Sequence, residues 1–516
     1  MAKIGIDFGT TNSLIVAYDK EINKFSYFNY DFLNATRPVP TSSTVWYHDG
    51  AIEVGQKARE NIHRFSGIEG HHFEKSIKLK LGTKQHLNIF GSPVEPYKVA
   101  GTILSSIKKH AEVDSGTDLS NIDMNQAVFT VPINFSGEAR RDLRKSANEA
   151  GIEVTTFIHE PFAAVVGYIF TKYSGGKCDK PIEKMQNLDG EYLMTFDWGG
   201  GTLDITVVQV KDGKMIELGT SELTNVAGDW FDEIIATYAW NSFLDDYGSK
   251  YSMEYLDLVK KRVWGKMLAY AEKCKLELSE MEETEFLLER VDGSDDDIYL
   301  SITREKFEEL ISPSIDAASV KIDEAIAQAG IQDIDISHVL LTGGTCYIPA
   351  VKNRMIEKFG QRVEEVKDAD LVIAQGAAVI AEMGWLPFLI KDIQIELSDG
   401  AYWPIFEKGM PIAANGLAHN EEEFSCVDSR LKRAKIIVGE GCGTKKDKNL
   451  AILNVPVLGD YRFGDDIVVE ASLDRDIVLT IKGHSKMVVG YEKDENYAIR
   501  KTAEVVQLCF GLDFTR

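Results

Sequence analysis

The sequence predicts an α/β body in two duplicated lobes, followed by a small all-β, sandwich-like domain. Three observations predict it. Strand-like and helix-like stretches alternate through the first 385 or so of the 516 residues. A strand closed by Asp and followed by a Gly- and Thr-rich turn occurs at residues 4–13 and again at 194–204, about 190 residues later. After about residue 394, period-two runs separated by Gly, Asp and Asn turns take over. The division that follows is residues 1–385, an apolar linker at 386–393, a β-rich domain at 394–500 and a short tail at 501–516.

Composition bounds the function. An apolar fraction of 44% and a charged fraction of 27% are those of a folded globular chain. Lys+Arg 57 against Asp+Glu 81 leaves a net charge of −24, which repels phosphate backbones and anionic lipid. Neither a nucleic-acid partner nor a membrane partner is therefore expected. The longest apolar stretch, 377–390, is broken by Glu382 and Pro387, short of the ~18–20 residues that span a bilayer. Met1-Ala2-Lys3-Ile4 leads straight into a strand without a signal-peptide pattern. Cysteines 178, 274, 346, 426, 442 and 509 are scattered with no C-x-x-C pair, which suits a reducing compartment; the expected location is cytoplasmic.

In chain order, buried strands are predicted at 4–6, 14–18 and 127–131. A helix follows at 136–150, with Ser136 as N-cap and Gly151 just past its end. A long helix at 256–280 carries Leu258, Val263, Met267, Tyr270 and Cys274 on its apolar face. Another, 304–328, has Phe307, Leu310, Ile311, Ile315, Val320 and Ile326 as apolar positions, and Pro313 should kink or split it. The strand 338–342 runs into Gly343-Gly344, and small residues at 370–378 suggest tight helix packing. Segment 385–393 is more apolar than a passive linker, and reads either as a buried strand at the domain edge or as a linker that docks and undocks. The β region is predicted as strands at 435–438, 450–457, 467–473, 477–481 and 487–489, with no helix of three turns.

The repeated turns carry the chemistry. Gly5-Ile6-Asp7-Phe8-Gly9-Thr10-Thr11-Asn12-Ser13 and Asp197-Trp198-Gly199-Gly200-Gly201-Thr202-Leu203-Asp204 share one design. Glycine lets backbone approach a ligand and leaves N–H groups free, and Thr hydroxyls add donors. An Asp at the strand end can hold a hydrated Mg²⁺. Two such hairpins facing each other would clamp a polyphosphate from both sides. The pattern G-x-x-x-x-G-K-[ST] is absent, so this is no P-loop. Gly343-Gly344 offers a close backbone approach for a planar base or ribose, or an ordinary strand–helix turn.

These features, in this order, resemble the actin-like ATPase superfamily, and within it the DnaK-type chaperones of the seventy-kilodalton heat-shock family. Further residues carry the likeness: Val131-Pro132-Ile133-Asn134-Phe135, His159-Glu160-Pro161-Phe162-Ala163-Ala164, Ala271-Glu272-Lys273-Cys274-Lys275-Leu276-Glu277-Leu278-Ser279 and Gly376-Ala377-Ala378-Val379. The likeness weakens in the β region, where Ile405-Phe406-Glu407-Lys408-Gly409-Met410-Pro411-Ile412 looks like an early strand and turn of the family's second domain.

The resemblance implies ATP or ADP with Mg²⁺, and K⁺ as a candidate second ion. Asp7 and Asp197 would be magnesium-shell carboxylates acting through water. Gly9, Thr10, Thr11, Asn12, Gly199, Gly200, Gly201 and Thr202 would cradle phosphate. Lys78 would neutralise charge at the transferred phosphoryl group, although its own stretch also reads as solvated. Glu160 and Thr202 would place the attacking water, with Lys78 and Asp197 completing the catalytic set. Glu272, Lys275, Ser279, Gly343, Gly344, Tyr347 and Asp370 would form the adenosine pocket. The i, i+3, i+7 spacing of Glu272, Lys275 and Ser279 equally describes a plain solvated helix face. Pro132 and Arg140, with Asp392 in the linker, would relay between phosphate and β domain.

The chain departs from the family pattern at several places. Tyr347 stands where the family has an arginine against adenine, and His159 and Phe162 replace Asn and Thr beside Glu160. Thr156 replaces an arginine used by J-domain co-chaperones, and Lys391 replaces a linker leucine, so a J-domain partner is in doubt. The β domain is shortened after Ile393, and the tail is too short for the family's helical lid. The expected function is that of a short, lidless, slowly hydrolysing ATPase that controls polypeptide binding by its β domain, with an exchange factor as a candidate partner. The alternative is a nucleotide-gated scaffold for one dedicated protein; a small-molecule kinase would need an acceptor-activating carboxylate, and none is identified.

Overall fold

A computed structural model describes the chain except residues 29–37, 115–120, 174–178, 365, 367, 413–417, 426–431, 444, 458–465, 487–488, 491–496, 499–500, 506–507, 509 and 516. Two sheets form the lobes of the α/β body, and the repeat in the sequence is a repeat in their construction. In the first, strand Ala2–Phe8 lies parallel to Ile122–Val131 and antiparallel to Asn12–Asp19, placing Asp7 opposite Thr130. In the second, Tyr192–Trp198 lies parallel to Ile336–Thr342 and antiparallel to Thr202–Lys211, placing Asp197 opposite Thr342. Each lobe thus ends its central strand in Asp, beside a Thr on the parallel neighbour, just before a tight turn.

Helices cover the sheets as the apolar periodicity requires, with local exceptions. Gly137–Glu149 starts at the predicted Ser136, whose hydroxyl accepts from Ala139 N. The long helix Met253–Glu280 buries Leu256, Val259, Val263, Met267, Ala271, Cys274 and Leu278. Leu258 is exposed, because the buried stripe runs through its neighbours at i−2 and i+1. On Arg304–Ala329 the same correction holds for Val320, exposed between buried Ala318 and Ile322, and Pro313 does not split the helix. The small residues 374–378 sit on Val372–Met383, packed against Glu160–Lys172. A Cβ on Gly376 would lie 1.8 Å from the Ala163 carbonyl oxygen, so close helix packing dictates glycine there.

The β region forms two four-stranded sheets, ordered 402–406, 392–396, 433–442, 445–456 and 418–425, 466–473, 479–485, 501–505, among the described residues. Both contribute to one apolar core, including Ile395, Val438, Val455, Val469, Ala471 and Ile481. The strand expected at 487–489 lies largely outside the described residues, as do cysteines 178, 426 and 509.

The segment 501–516 is more than a tail. Lys501–Val505 completes a β-domain sheet, whereas Phe510–Asp513 crosses back to the second lobe. There it lies between Lys214–Thr224 and the linker strand Leu386–Leu389, antiparallel to both. The linker is therefore a strand, joined to the sheet of the second lobe through another segment of the chain.

Candidate active site

The two Asp-closed hairpins converge on a cleft of about 430 Å³ between the lobes. Asp7, Gly9, Thr10, Thr11 and Asn12 line one wall, and Asp197, Gly199, Gly200, Gly201 and Thr202 the other. A Cβ on Gly200 would come within 2.0 Å of Thr11 Oγ1, so the turns approach too closely for any side chain there. Thr11 Oγ1 is buried and has no hydrogen-bond partner among the described residues, a donor aimed at the space between the turns. Gly199 and Gly200 carbonyls are occupied by Gly228 N (3.1 Å) and Asp229 N (2.7 Å), which fixes the second turn against the helix Gly228–Tyr247.

Lys78 is only 6% exposed, so the solvated reading fails for this lysine, although its neighbours Leu79 and Lys80 face solvent. Its Nζ lies 2.7 Å from Glu160 Oε1. Burial pulls the Lys78 ammonium down, but Glu160, Asp7 and Asp197 outweigh it and raise its pKa. Burial raises Asp7, with Lys78 and a 2.9 Å hydrogen bond from Thr130 Oγ1 opposing. Burial also lifts Glu160, to about 7, against the pull of Lys78. Asp197 is raised well above its ordinary value by burial and then by Glu160, Asp204 and Asp7. Asp204, whose carboxylate accepts from Thr202 Oγ1 at 2.8 Å, is pushed up to about 6 by burial.

Four carboxylates, Glu160 buried and Asp7, Asp197 and Asp204 half-buried, thus outnumber the positive charge that Lys78 supplies, a donor set short of a cation. Among the described residues no three His, Cys, Asp or Glu side chains converge tightly enough to ligate a metal directly. An ion held through its own waters, as Mg²⁺ favours, suits that spacing. Facing glycine turns, the unpartnered Thr11 hydroxyl and this charge balance together fit a magnesium-bound polyphosphate.

Deeper along the cleft, Glu272, Lys275, Ser279, Gly343, Gly344 and Asp370 also line the wall. Gly343 has φ +81°, and a Cβ there would meet the Trp198 carbonyl oxygen at 2.5 Å, so its glycine is structural. Lys275 pairs with Asp232 at 2.7 Å, and Glu272 with Arg59 at 2.7 Å. Burial would raise the Glu272 carboxyl, but Arg59, Lys75 and Lys275 outweigh it and hold it low. Tyr347 does not line the cleft; it is half exposed, with its hydroxyl 3.3 Å from the cleft-lining Asp370 Oδ1.

Arg59 was not legible as a site residue. It sits on the helix Gln56–Phe65 and meets Glu272 across 213 residues of sequence, a contact that only the fold creates. Asp204 also lines the cleft and was given no role from sequence; its place at the close of the second motif, two residues after Thr202, is the signal that could have found it.

The relay residues separate. Pro132 and Phe135 line the cleft, and the Phe135 carbonyl accepts from Arg140. Arg140 is fully buried and also donates to the carbonyls of Asp476 (2.6 Å) and Ile477 (3.3 Å) in the β domain. Burial lowers the Arg140 guanidinium to about 10. Beside it, Arg144 binds Asp476 at 2.6 Å and Arg141 binds Asp474 and Glu504 at 3.3 Å. Asp392 instead stays within the β domain, accepting from Lys408 N (2.7 Å) and Gly443 N (2.9 Å). Its place at the start of Asp392–Glu396 turns it toward its own hairpins, away from the cleft.

The cleft is flanked by duplicated lobes and reaches a docked β domain through Phe135 and Arg140. Residues 3–483 match the family model described as Hsp70 protein. That match covers most of the chain: it belongs to the Hsp70 family, a nucleotide-binding, chaperone-type family of actin-like ATPases.

Proposed function

We propose that this chain is a DnaK-like, magnesium-dependent ATPase that hydrolyses ATP slowly and uses the cycle to control polypeptide binding by its β domain. The supporting observation is the buried Lys78–Glu160 pair, 2.7 Å apart, between two facing Asp-closed glycine hairpins. Bound Mg·ATP supplies the phosphoanhydride bond and a divalent charge that offsets its oxygens. Backbone N–H groups and hydroxyls at 9–12 and 199–202 hold the phosphates, and Asp7 and Asp197 hold the metal's waters. Lys78 opposes charge on the phosphoryl oxygens, while Glu160 and Thr202 orient a water, with Glu160 placed to take its proton. Glu272, Lys275, Ser279, Gly343, Gly344 and Asp370 hold the nucleoside, with Tyr347 at its edge.

Phe135 and Arg140 carry the state of the cleft to residues 474–477, and the segment 386–393 acts as the linker between bodies 1–385 and 394–500. ATP and polypeptide then alter each other's affinity reciprocally. Calorimetry with Mg·ATP tests the root of this reading; no heat of binding ends it. Limited proteolysis at 386–393 without nucleotide, with Mg·ADP and with Mg·ATP tests the coupling, and equal cleavage in all three means uncoupled domains.

A specific observation favours a second reading, the scaffold for one dedicated partner. The first β-domain hairpin closes through a tight turn, Leu397 N to Ala401 O at 2.8 Å, and Lys391 is tied to Asp447 at 2.9 Å. A panel of unrelated unfolded peptides separates the two, since a chaperone binds several and a scaffold none. An exchange factor would act on the Arg59–Glu272 contact that closes the cleft; a J-domain partner would have to manage with Thr156, which is buried.

A further inference from the structure

We propose that the strand Phe510–Asp513 is a built-in strap that holds the interdomain linker on the ATPase body and passes its state to Glu160. The inference rests on the ATPase reading above for its functional half. Its structural half stands on the sheet order: Lys214–Thr224, then Phe510–Asp513, then the linker strand Leu386–Leu389. Leu386, Pro387, Phe388 and Leu389 pair with Asp513, Leu512, Gly511 and Phe510, whereas Lys214 and Met215 pair with Asp513 and Leu512. Among the described residues the linker strand pairs with the body's sheet by way of this strand, and Lys214 Nζ also lies over the Phe388 ring at 5.0 Å.

Side chains tie the strap into two cores at once. Phe510 is fully buried in the β-domain core with Leu389, and Leu512 and Phe514 are buried in the core of the ATPase body. Phe514 stacks near Trp385, 5.9 Å between centroids. Gly511 is where the three strands press closest. A Cβ there would meet the Met215 carbonyl oxygen at 2.5 Å and the Phe388 ring at 2.6 Å.

The link to the cleft runs through two residues that depart from the family pattern. The Phe510 ring lies 3.8 Å, centroid to centroid, from His159, which also stacks on Phe162 at 5.9 Å. His159 directly precedes Glu160 at the start of the helix Glu160–Lys172, and it is buried against Glu217 of the strand Lys214–Thr224. His159, itself stacked on Phe162, forms the seat of Phe510; a smaller polar residue at 159 would leave the strap without one. Phe510 and His159 are positioning residues, and removing the strap frees the linker and relaxes Glu160 together.

The test compares full-length wild type, Gly511→Val, Phe510→Ala and a chain ending after Val505. Amide hydrogen exchange over 386–389 is measured without nucleotide, with 192–198 and 467–473 as internal controls for an intact fold. Expected is exchange at 386–389 faster by about tenfold or more in Gly511→Val and in the shortened chain, with both controls still protected. In Phe510→Ala, single-turnover ATP hydrolysis should shift by about threefold or more with calorimetric ATP affinity unchanged, and Phe510→Leu should restore part of the rate. Unchanged linker protection in both Gly511→Val and the shortened chain overturns the strap, as does an unchanged hydrolysis rate once the linker is free. If wild type binds no ATP, the ATPase reading fails, and the exchange comparison still decides whether the strap exists.

Discussion

Lys78 and Glu160 lie where burial alone would discharge both, and each keeps the other in place. This makes Lys78 removable without collapse, because Glu160 can answer the loss by taking up a proton. Lys78→Ala should therefore fold and bind ATP by calorimetry, while turnover falls about 10²–10³-fold, the usual loss for one preorganised charge. Preserved turnover would place the phosphoryl chemistry elsewhere. Asp204 makes a second prediction, with a definite sign. Its folded pKa is raised, from 3.8 to about 6, by burial. Such a group contributes stability below its unfolded value and loses that contribution as pH rises through the folded one. Nucleotide-free wild type should thus lose stability relative to Asp204→Asn between about pH 4 and pH 6, by on the order of 2 kcal/mol. Parallel melting curves for the two proteins across that window would refute it.

At the scale of elements, the hairpins, the cleft-wall helix and the β runs were legible because their signals are local. Asp, Gly and Thr within ten residues define a turn, and a period of two or 3.6 defines a buried face. Arg59, Asp476 and Phe510 were not, since each acts through contacts hundreds of residues away in sequence; Arg140 meets Asp476 across 336 positions. Leu258 and Val320 show the limit from the other side, because an apolar residue off the stripe by one position faces solvent. The small-residue helix Val372–Met383 was legible in kind. Its glycine touches Ala163, and Gly167 on the partner helix touches the Val372 carbonyl, where a Cβ would come within 1.9 Å. Gly376→Leu should accordingly lower the urea midpoint by an amount equivalent to about 1–3 kcal/mol or more, since backbone cannot yield as a side chain can. An unchanged midpoint would mean that the two helices are free to separate.

At the scale of the whole molecule, the β domain is held to the α/β body at two separate places among the described residues. One is the strand Phe510–Asp513 with the linker; the other is the loop at 474–478, gripped by Arg140, Arg141 and Arg144 of a single helix. In that loop Ile477 adopts φ +58°, a conformation that β-branched residues rarely take, so the docked shape is imposed by its partners. The fold class follows from sequence patterning, whereas this double attachment is a property of the assembled chain. Two attachments on one rigid domain predict coupling. The triple change Arg140→Ala, Arg141→Ala and Arg144→Ala removes every arginine of that grip and leaves the strap in place. Gly511→Val removes the strap and leaves the arginine grip. Either change alone should leave the β domain close to the body, with at most a small rise in the radius of gyration measured by small-angle scattering. Together they should produce a rise larger than the sum of the two, because the last restraint fails only when both are absent. A strictly additive response would show that the two contacts act independently, and an unchanged radius in the double variant would locate the attachment somewhere other than these two sites.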